Sequence, residues 1–189
     1  SPLRLVDVYC KFWDANWWPD WPTSARQLAW FLQESNGPTV DGVIAITPDI
    51  AEDLLRLTGP IDLSASHGLI ITADNFRLTV QDNVESKVSG QQQPKKIIGD
   101  LTAAILEKLP AVLTDQHQAF ELVKLLSQRV SARHILFYSN NPEIQSKWQQ
   151  TGWSGQIEQL ETGQDYLQVV NTNIAGGKTD LRIRQTIEQ

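Results

Sequence analysis

Within residues 41–63, DGVIAITPDIAEDLLRLTGPIDL, the chain passes from an apolar run to a capped helix and back to an apolar run. GVIAI is short and β-branched, so residues 41–46 read as a buried strand. Thr47 then stands at a helix N-cap, with Pro48 at the first helical position and Asp49 beside its positive end. Ile50, Leu54 and Leu55 recur at helical spacing and point inward. Gly59-Pro60 ends the helix. Strand and helix periods alternate in this way along most of the chain, and that constrains the fold more than any other feature.

Upstream, residues 1–22 are rich in Pro and Trp and lack a period, apart from a short strand expected over 3–9. Pro22 and Thr23-Ser24 give a helix start. Ala25, Leu28, Ala29 and Leu32 form one helical face, and Asn36-Gly37-Pro38 stops it. Downstream, residues 61–63 and 69–71 read as short strands, and Thr72 caps a helix over about 73–86. SKVSGQQQ, residues 86–93, is a polar loop. Ile97, Ile98, Leu101, Ala104, Ile105 and Leu109 mark a helix from about residue 95, closed by Pro110. Ala119, Leu122, Val123, Leu126 and Val130 mark another over 115–130. Residues 134–139 are a strand, and Asn141-Pro142 opens a helix ending at Gly152. In residues 181–188 Leu181, Ile183 and Ile187 alternate with Arg182, Arg184 and Glu188. Together with residues 165–171 they form a hairpin with one wet face. The expected fold is a three-layer α/β/α sandwich around a central mixed sheet, with a C-terminal antiparallel hairpin.

A length of 189 residues with 41% apolar content suits a single domain over 1–189. Sixteen cations against 22 anions leave a net charge of −6, which argues against nucleic acid as a partner. Cys10 is the single cysteine, so no internal disulfide forms, and no Cys/His metal pattern is present. No apolar run is long enough to span a membrane as a helix. The chain begins SPLRLV and holds no Met, so it reads as a segment of something longer.

DANWWPDWPTSARQLAWF, residues 14–31, holds Trp17, Trp18, Trp21 and Trp30 of the chain's seven Trp. Trp beside Asp and Asn can stack on a sugar while carboxylates take its hydroxyls. Asp14, Asn16, Trp17 and Asp20 are the candidates. The plainer reading makes Trp13, Trp17 and Trp30 plugs against the first helix, with Asp14 and Asn16 as turn formers. NTNIAGGKTD, residues 171–180, poses a similar choice. Gly176-Gly177 permit close approach of a ligand, with Asn173, Lys178 and Asp180 nearby, or they simply turn a hairpin. It is no phosphate-binding fingerprint. His67, His117 and His134 lie apart and read as structural. Glu52 and Asp53 point to different sides of their helix, which suits no paired acid/base work.

DANWWPDWPTSA, PTVDGVIAITPDIAEDLLRLTGPIDL, ITADNF, PKKIIGDL and DYLQVVNTNIAGGKTD together resemble the bacterial envelope family known as domain of unknown function 4012. That resemblance implies an extracytoplasmic body tethered by a transmembrane helix outside this segment. It also implies an upstream Arg-Pro-Thr-Gly-Gly-Phe-like motif, absent here, so the chain reads as the later part of a larger domain. In order and pattern the chain is also distantly similar to the LytR–CpsA–Psr transferases, which move glycans from a polyprenyl-pyrophosphate carrier. Those carry an Arg-rich helix that grips pyrophosphate. Here the matching stretch, ITADNFRLTVQDNVES, offers Arg77, with Gln81 and Asn83 where cations would be wanted. Lys95 and Lys96 stand in the place of an Arg pair. The scaffold can therefore be shared while the chemistry is not.

Two functions follow as expectations. The first is a non-catalytic envelope module that binds an envelope glycan, a lipid-linked intermediate or a protein partner, without a cofactor. The alternative is a phosphotransferase or hydrolase acting on polyprenyl-pyrophosphate-linked glycan. In it Arg26, Arg77, Lys95 and Lys96 would hold phosphate, and Asp14 or Asp20 a divalent metal.

Overall fold

The computed structural model describes residues 15–85, 96–157 and 163. All of these but Ile157 and Gly163 lie in the first of two compact units, Ser1–Gln156 and Ile157–Gln189. The described order is α1 (Trp21–Glu34), β1 (Gly42–Ile46), α2 (Pro48–Thr58), β2 (Ile61–Leu63), α3 (Ser64–His67) and β3 (Leu69–Ile71). Then come α4 (Phe76–Glu85), α5 (Lys96–Thr114), α6 (Gln116–Ser131), β4 (Ile135–Ser139) and α7 (Pro142–Gln150). The fold is mixed α/β, as expected. Among the described residues the strands pair in two small antiparallel sheets. β1 runs against β4 from Gly42↔Ser139 to Ile46↔Ile135. β2 runs against β3 from Ile61↔Ile71 to Leu63↔Leu69. The strands expected over 3–9, 165–171 and 181–188, their hairpin, and the loop over 86–93 lie outside the described residues.

The alternation of β1 and β4 decides what packs on each face. Val43, Ala45, Leu136 and Tyr138 meet Trp21, Ala25 and Leu28 of α1. Ile135 and Phe137 meet Ile50 and Leu54 of α2 and Leu126 and Val130 of α6. Helices thus cover both faces of the β1–β4 pair. The strand over 41–46 is not the buried one expected. Ile44 and Ile46 share the face of Phe137 and Ile135 yet remain exposed, because α6 packs over β4. The main core lies beside this pair. Leu55 of α2, Ile61 and Leu63 of β2, Ile71 of β3, Phe76 of α4 and Ile97, Leu101 and Ile105 of α5 form one cluster. Each buried side chain of this size contributes about 1.5–3 kcal/mol relative to exposure.

Local chemistry explains the boundaries, including those that differ from expectation. α1 begins at Trp21 rather than at Thr23-Ser24, because the Asp20 carboxylate caps it by accepting from the Thr23 N–H. Thr47 occupies the N-cap of α2 but makes no side-chain cap bond; its hydroxyl is turned elsewhere. α4 starts at Phe76, not 73, because Thr72 and Asn75 exchange hydrogen bonds in a turn first. α3 is a turn the periodicity does not announce. Asp62 accepts from both the N–H and the hydroxyl of Ser64, and Gly68 closes the turn in the left-handed region. Pro110 does not close α5, which runs on to Thr114. The bond it forfeits belongs to the carbonyl of Leu106, whose residue is exposed, so water can satisfy that carbonyl. Val112 beyond it is buried and holds the last turn in place.

Candidate functional site

The strap before α1 is fixed at both ends. Ala15 and Ser24 are fully buried, Trp21 is 5% exposed, and the Ser24 hydroxyl donates to the Trp18 carbonyl oxygen at 2.8 Å. Between those anchors Asn16, Trp17, Trp18 and Pro19 are exposed. Trp17 and Trp18 retain 37% and 40% of their surface, and Trp30 retains 51%. The expectation that Trp17 and Trp30 plug the core is therefore overturned. Trp21 is the plug, packed on Ala25 and Tyr138, with its Nε1 unpartnered among the described residues. The reason lies in the cap. With Asp20 at the N-cap, the first helical residue faces the sheet, and the two Trp ahead of Pro19 do not. Trp13 lies outside the described residues.

A second cluster runs along α2. Asp49, Glu52, Asp53 and Arg56 stand at i, i+3, i+4 and i+7, one stripe of the helix. Arg77 of α4 donates to both Asp49 and Glu52. Arg129 of α6 donates from Nε to Asp53 Oδ2 at 2.6 Å. Arg56 closes the stripe more loosely, at 3.3 Å from Asp53 and 4.0 Å from Glu52. Three carboxylates face three guanidiniums. The hydrogen bond and charge of Glu52, with Asp49, hold the Arg77 proton more tightly than usual. Asp53 does the same for Arg129. Contrary to expectation, Glu52 and Asp53 do not point to different sides of α2: both reach Arg56, while Arg77 takes Glu52 and Arg129 takes Asp53.

His134, just before β4, joins this stripe at Asp49. Its Nδ1 lies 2.8 Å from Thr47 Oγ1 and 3.2 Å from Asp49 Oδ2, and Thr47 Oγ1 also donates to Asp49 Oδ2 at 3.1 Å. An ionised carboxylate only accepts, so an unprotonated Nδ1 would set lone pair against lone pair. We therefore assign the proton to Nδ1, from where it serves Thr47 and Asp49. The arrangement is a triangle on one ring nitrogen. A Thr–His–Asp relay would need the hydroxyl and the carboxylate on opposite nitrogens, so this is no nucleophilic triad. Burial raises the Asp49 pKa, but the Thr47 hydroxyl, Arg77 and His134 together outweigh it and hold the carboxyl below the ordinary aspartate range.

His67 makes a separate contact. Its Nε2 lies 2.8 Å from Asp100 Oδ2, and Lys96 Nζ lies 3.7 Å from the same oxygen. The hydrogen bond from His67 comes first in depressing the Asp100 pKa, against burial, with Lys96 adding to it. Ser64 nearby is committed to Asp62.

Of the residues read from the sequence, Asn16, Trp17, Asp20 and Arg26 gather at the start of α1. Arg26 donates to the Thr23 hydroxyl at 3.1 Å, and that hydroxyl donates to Asp20. The Arg26 guanidinium also stands 5.9 Å from the Tyr138 ring centroid. Arg77 and Lys96 belong to the other two clusters and do not join them. Asp14, Lys95, Asn173, Lys178 and Asp180 lie outside the described residues. The α2 stripe and its tie to His134 were missed. The i, i+3, i+4, i+7 spacing of Asp49, Glu52, Asp53 and Arg56 was the signal available. Among the described residues, no group of three His, Cys, Asp or Glu could hold a metal ion. No helix of the described residues is long and apolar enough to cross a membrane.

The strap, α1, β1, α2, the β2–β3 pair and α4 make up the N-terminal half of the described structure. A family model matches this stretch, over residues 7–89. Residues 7–89 are similar to DUF4012. The model's description is a protein of unknown function, DUF4012. Both the strap and the α2 stripe fall within the DUF4012 match. Arg129 and His134, which complete the stripe, fall beyond it. No curated protein and no solved structure matches the chain.

Proposed function

We propose that this chain is a non-catalytic, extracytoplasmic module of a membrane-tethered envelope protein, and that it binds an envelope glycan through the strap ahead of α1. The observation that carries this reading is the exposure of Trp17 and Trp18 on a strap pinned by Ala15, Ser24 and Trp21. Two indoles held out by buried anchors lose little freedom on binding, and their flat apolar faces suit the C–H faces of a sugar. Asn16 beside them supplies amide donors and an acceptor for hydroxyls. A lipid-linked glycan or the face of a protein partner would meet the same two rings.

The transferase reading draws less support. Arg77 is engaged by Asp49 and Glu52, so a pyrophosphate would have to displace two carboxylates. Asp20 is engaged as a helix cap, so it is poorly placed to hold a metal. Helices on both faces of the β1–β4 pair are compatible with a three-layer sandwich around a larger sheet, and that architecture belongs to the proposal.

Pull-down on purified peptidoglycan and a glycan array test the function directly. The chain should be retained, and a Trp17→Ala/Trp18→Ala variant should bind about tenfold or more weakly. Its circular dichroism should be unchanged, since neither ring is core. Retention of the variant at wild-type strength, or no retention of the wild type, overturns the proposal.

A further inference from the structure

A separate pocket opens where α2 ends. Arg56 and Leu57 form one wall, Lys108, Ala111 and Val112 of α5 form another, and Gln118 of α6 closes the rim. Its volume is about 590 Å³, within the range of small-ligand sites. Among the described residues, no carboxylate lines it. That is unusual in an acidic chain, and it sets this pocket apart from the α2 stripe just above.

Two cations bear on the cavity for different reasons. Lys108 Nζ donates to the Pro60 carbonyl at 2.7 Å and the Thr58 carbonyl at 3.4 Å. It is thereby fixed at the negative end of α2 with one of its three protons uncommitted. Arg56 is the weakly held member of the stripe. Glu52 and Asp53 already have closer guanidiniums in Arg77 and Arg129, and the Arg56 side chain is 58% exposed. Its planar fork can turn into the pocket without stranding a carboxylate.

We infer that this pocket binds a small phosphate ester, its oxyanion between Arg56 and Lys108 and its apolar substituent against Leu57, Ala111 and Val112. Cations on two walls suit a tetrahedral anion, whose oxygens diverge, better than a planar carboxylate. Gln118 offers an amide donor at the rim. The pocket is distinct from the aromatic strap, and neither proposal depends on the other.

Titration calorimetry on the whole chain with phenyl phosphate, and separately with inorganic phosphate, tests the assignment. Phenyl phosphate should bind, and more tightly than inorganic phosphate. Arg56→Gln should weaken it about tenfold, the usual scale for losing a charge-assisted hydrogen bond. Lys124→Gln, which removes an equal charge on exposed α6, should leave it unchanged. Lys108→Gln should also weaken binding. Because Lys108 holds the end of α2 as well, Arg56→Gln decides. Competition by phosphatidylglycerol vesicles would identify a lipid headgroup as the source of the ester, and its absence a soluble one; both fit the assignment. No heat with either probe, equal affinity for the two phosphates, or equal losses in Arg56→Gln and Lys124→Gln overturns it.

Discussion

Thr47 and His134 are joined twice, 87 positions apart in sequence. The Thr47 N–H donates to the His134 carbonyl at 3.0 Å, and Thr47 Oγ1 lies 2.8 Å from His134 Nδ1. The first contact continues the β1–β4 ladder past its last pair. The second ties the start of α2 to the start of β4. Thr47→Val keeps the branched shape and the backbone bond but removes the hydroxyl. It should cost about 1 kcal/mol, and Thr47→Ser should recover most of it. Urea titration of both variants checks this, and equal stability of Val and wild type would show the hydroxyl to be idle.

The Asp49 carboxyl predicts how stability falls in acid. Its folded pKa is depressed, so the stabilisation is complete above the ordinary aspartate range and is lost as pH falls through the folded value. Asp49→Asn should therefore be less stable than wild type at neutral pH. The two melting curves should converge as pH falls below the ordinary aspartate range and through the depressed folded value, where the wild-type carboxyl takes up its proton. Parallel curves down to the lowest pH would contradict the role given to Arg77 and His134.

Trp21 and Trp17 should behave in opposite ways. Trp21→Ala empties a site on the α1 face of the sheet and should cost about 3–5 kcal/mol. Trp17→Ala should change stability by less than about 0.5 kcal/mol. Thermal denaturation of the pair separates plug from platform.

Asp20→Ala should destabilise the chain by about 1 kcal/mol through loss of the α1 cap, and Asp20→Asn should restore much of it. A carboxylate needed for ligand charge would not be rescued by Asn in a binding assay, so stability and glycan retention measured together distinguish the two roles.

Gly42→Ala should be more damaging than a surface substitution in a strand. A β-carbon at Gly42 would collide with the backbone oxygen of Tyr138, which cannot swing aside as a side chain could. A loss of about 2 kcal/mol or more is expected in chemical denaturation, from overpacking alone.

Much of the fold could be read from local signals. Pro48 and Asp49 placed α2, Gly59-Pro60 ended it, and Asn141-Pro142 opened α7, whose cap accepts from the Glu143 and Ile144 N–H groups. These are contacts within a few residues, and residue type alone specifies them. The candidate site was much less legible. Arg129 and Asp53 are 76 positions apart, and nothing in either neighbourhood announces the other. The orientation of the Trp residues failed for a related reason. A non-periodic strap has no face until its anchors are known, and the burial of Ser24 and Ala15 emerges only from packing.

Pro110 has one more consequence. Ala111 and Val112 form a wall of the Arg56–Lys108 pocket and lie just past the residue that interrupts the hydrogen-bond ladder of α5. The final turn is therefore coupled to the rest of its helix by one rung fewer than its length implies. Amide exchange should be faster there than in the turns around Leu101, and slower once something fills the space beside it. That makes this short corner a natural reporter of occupancy.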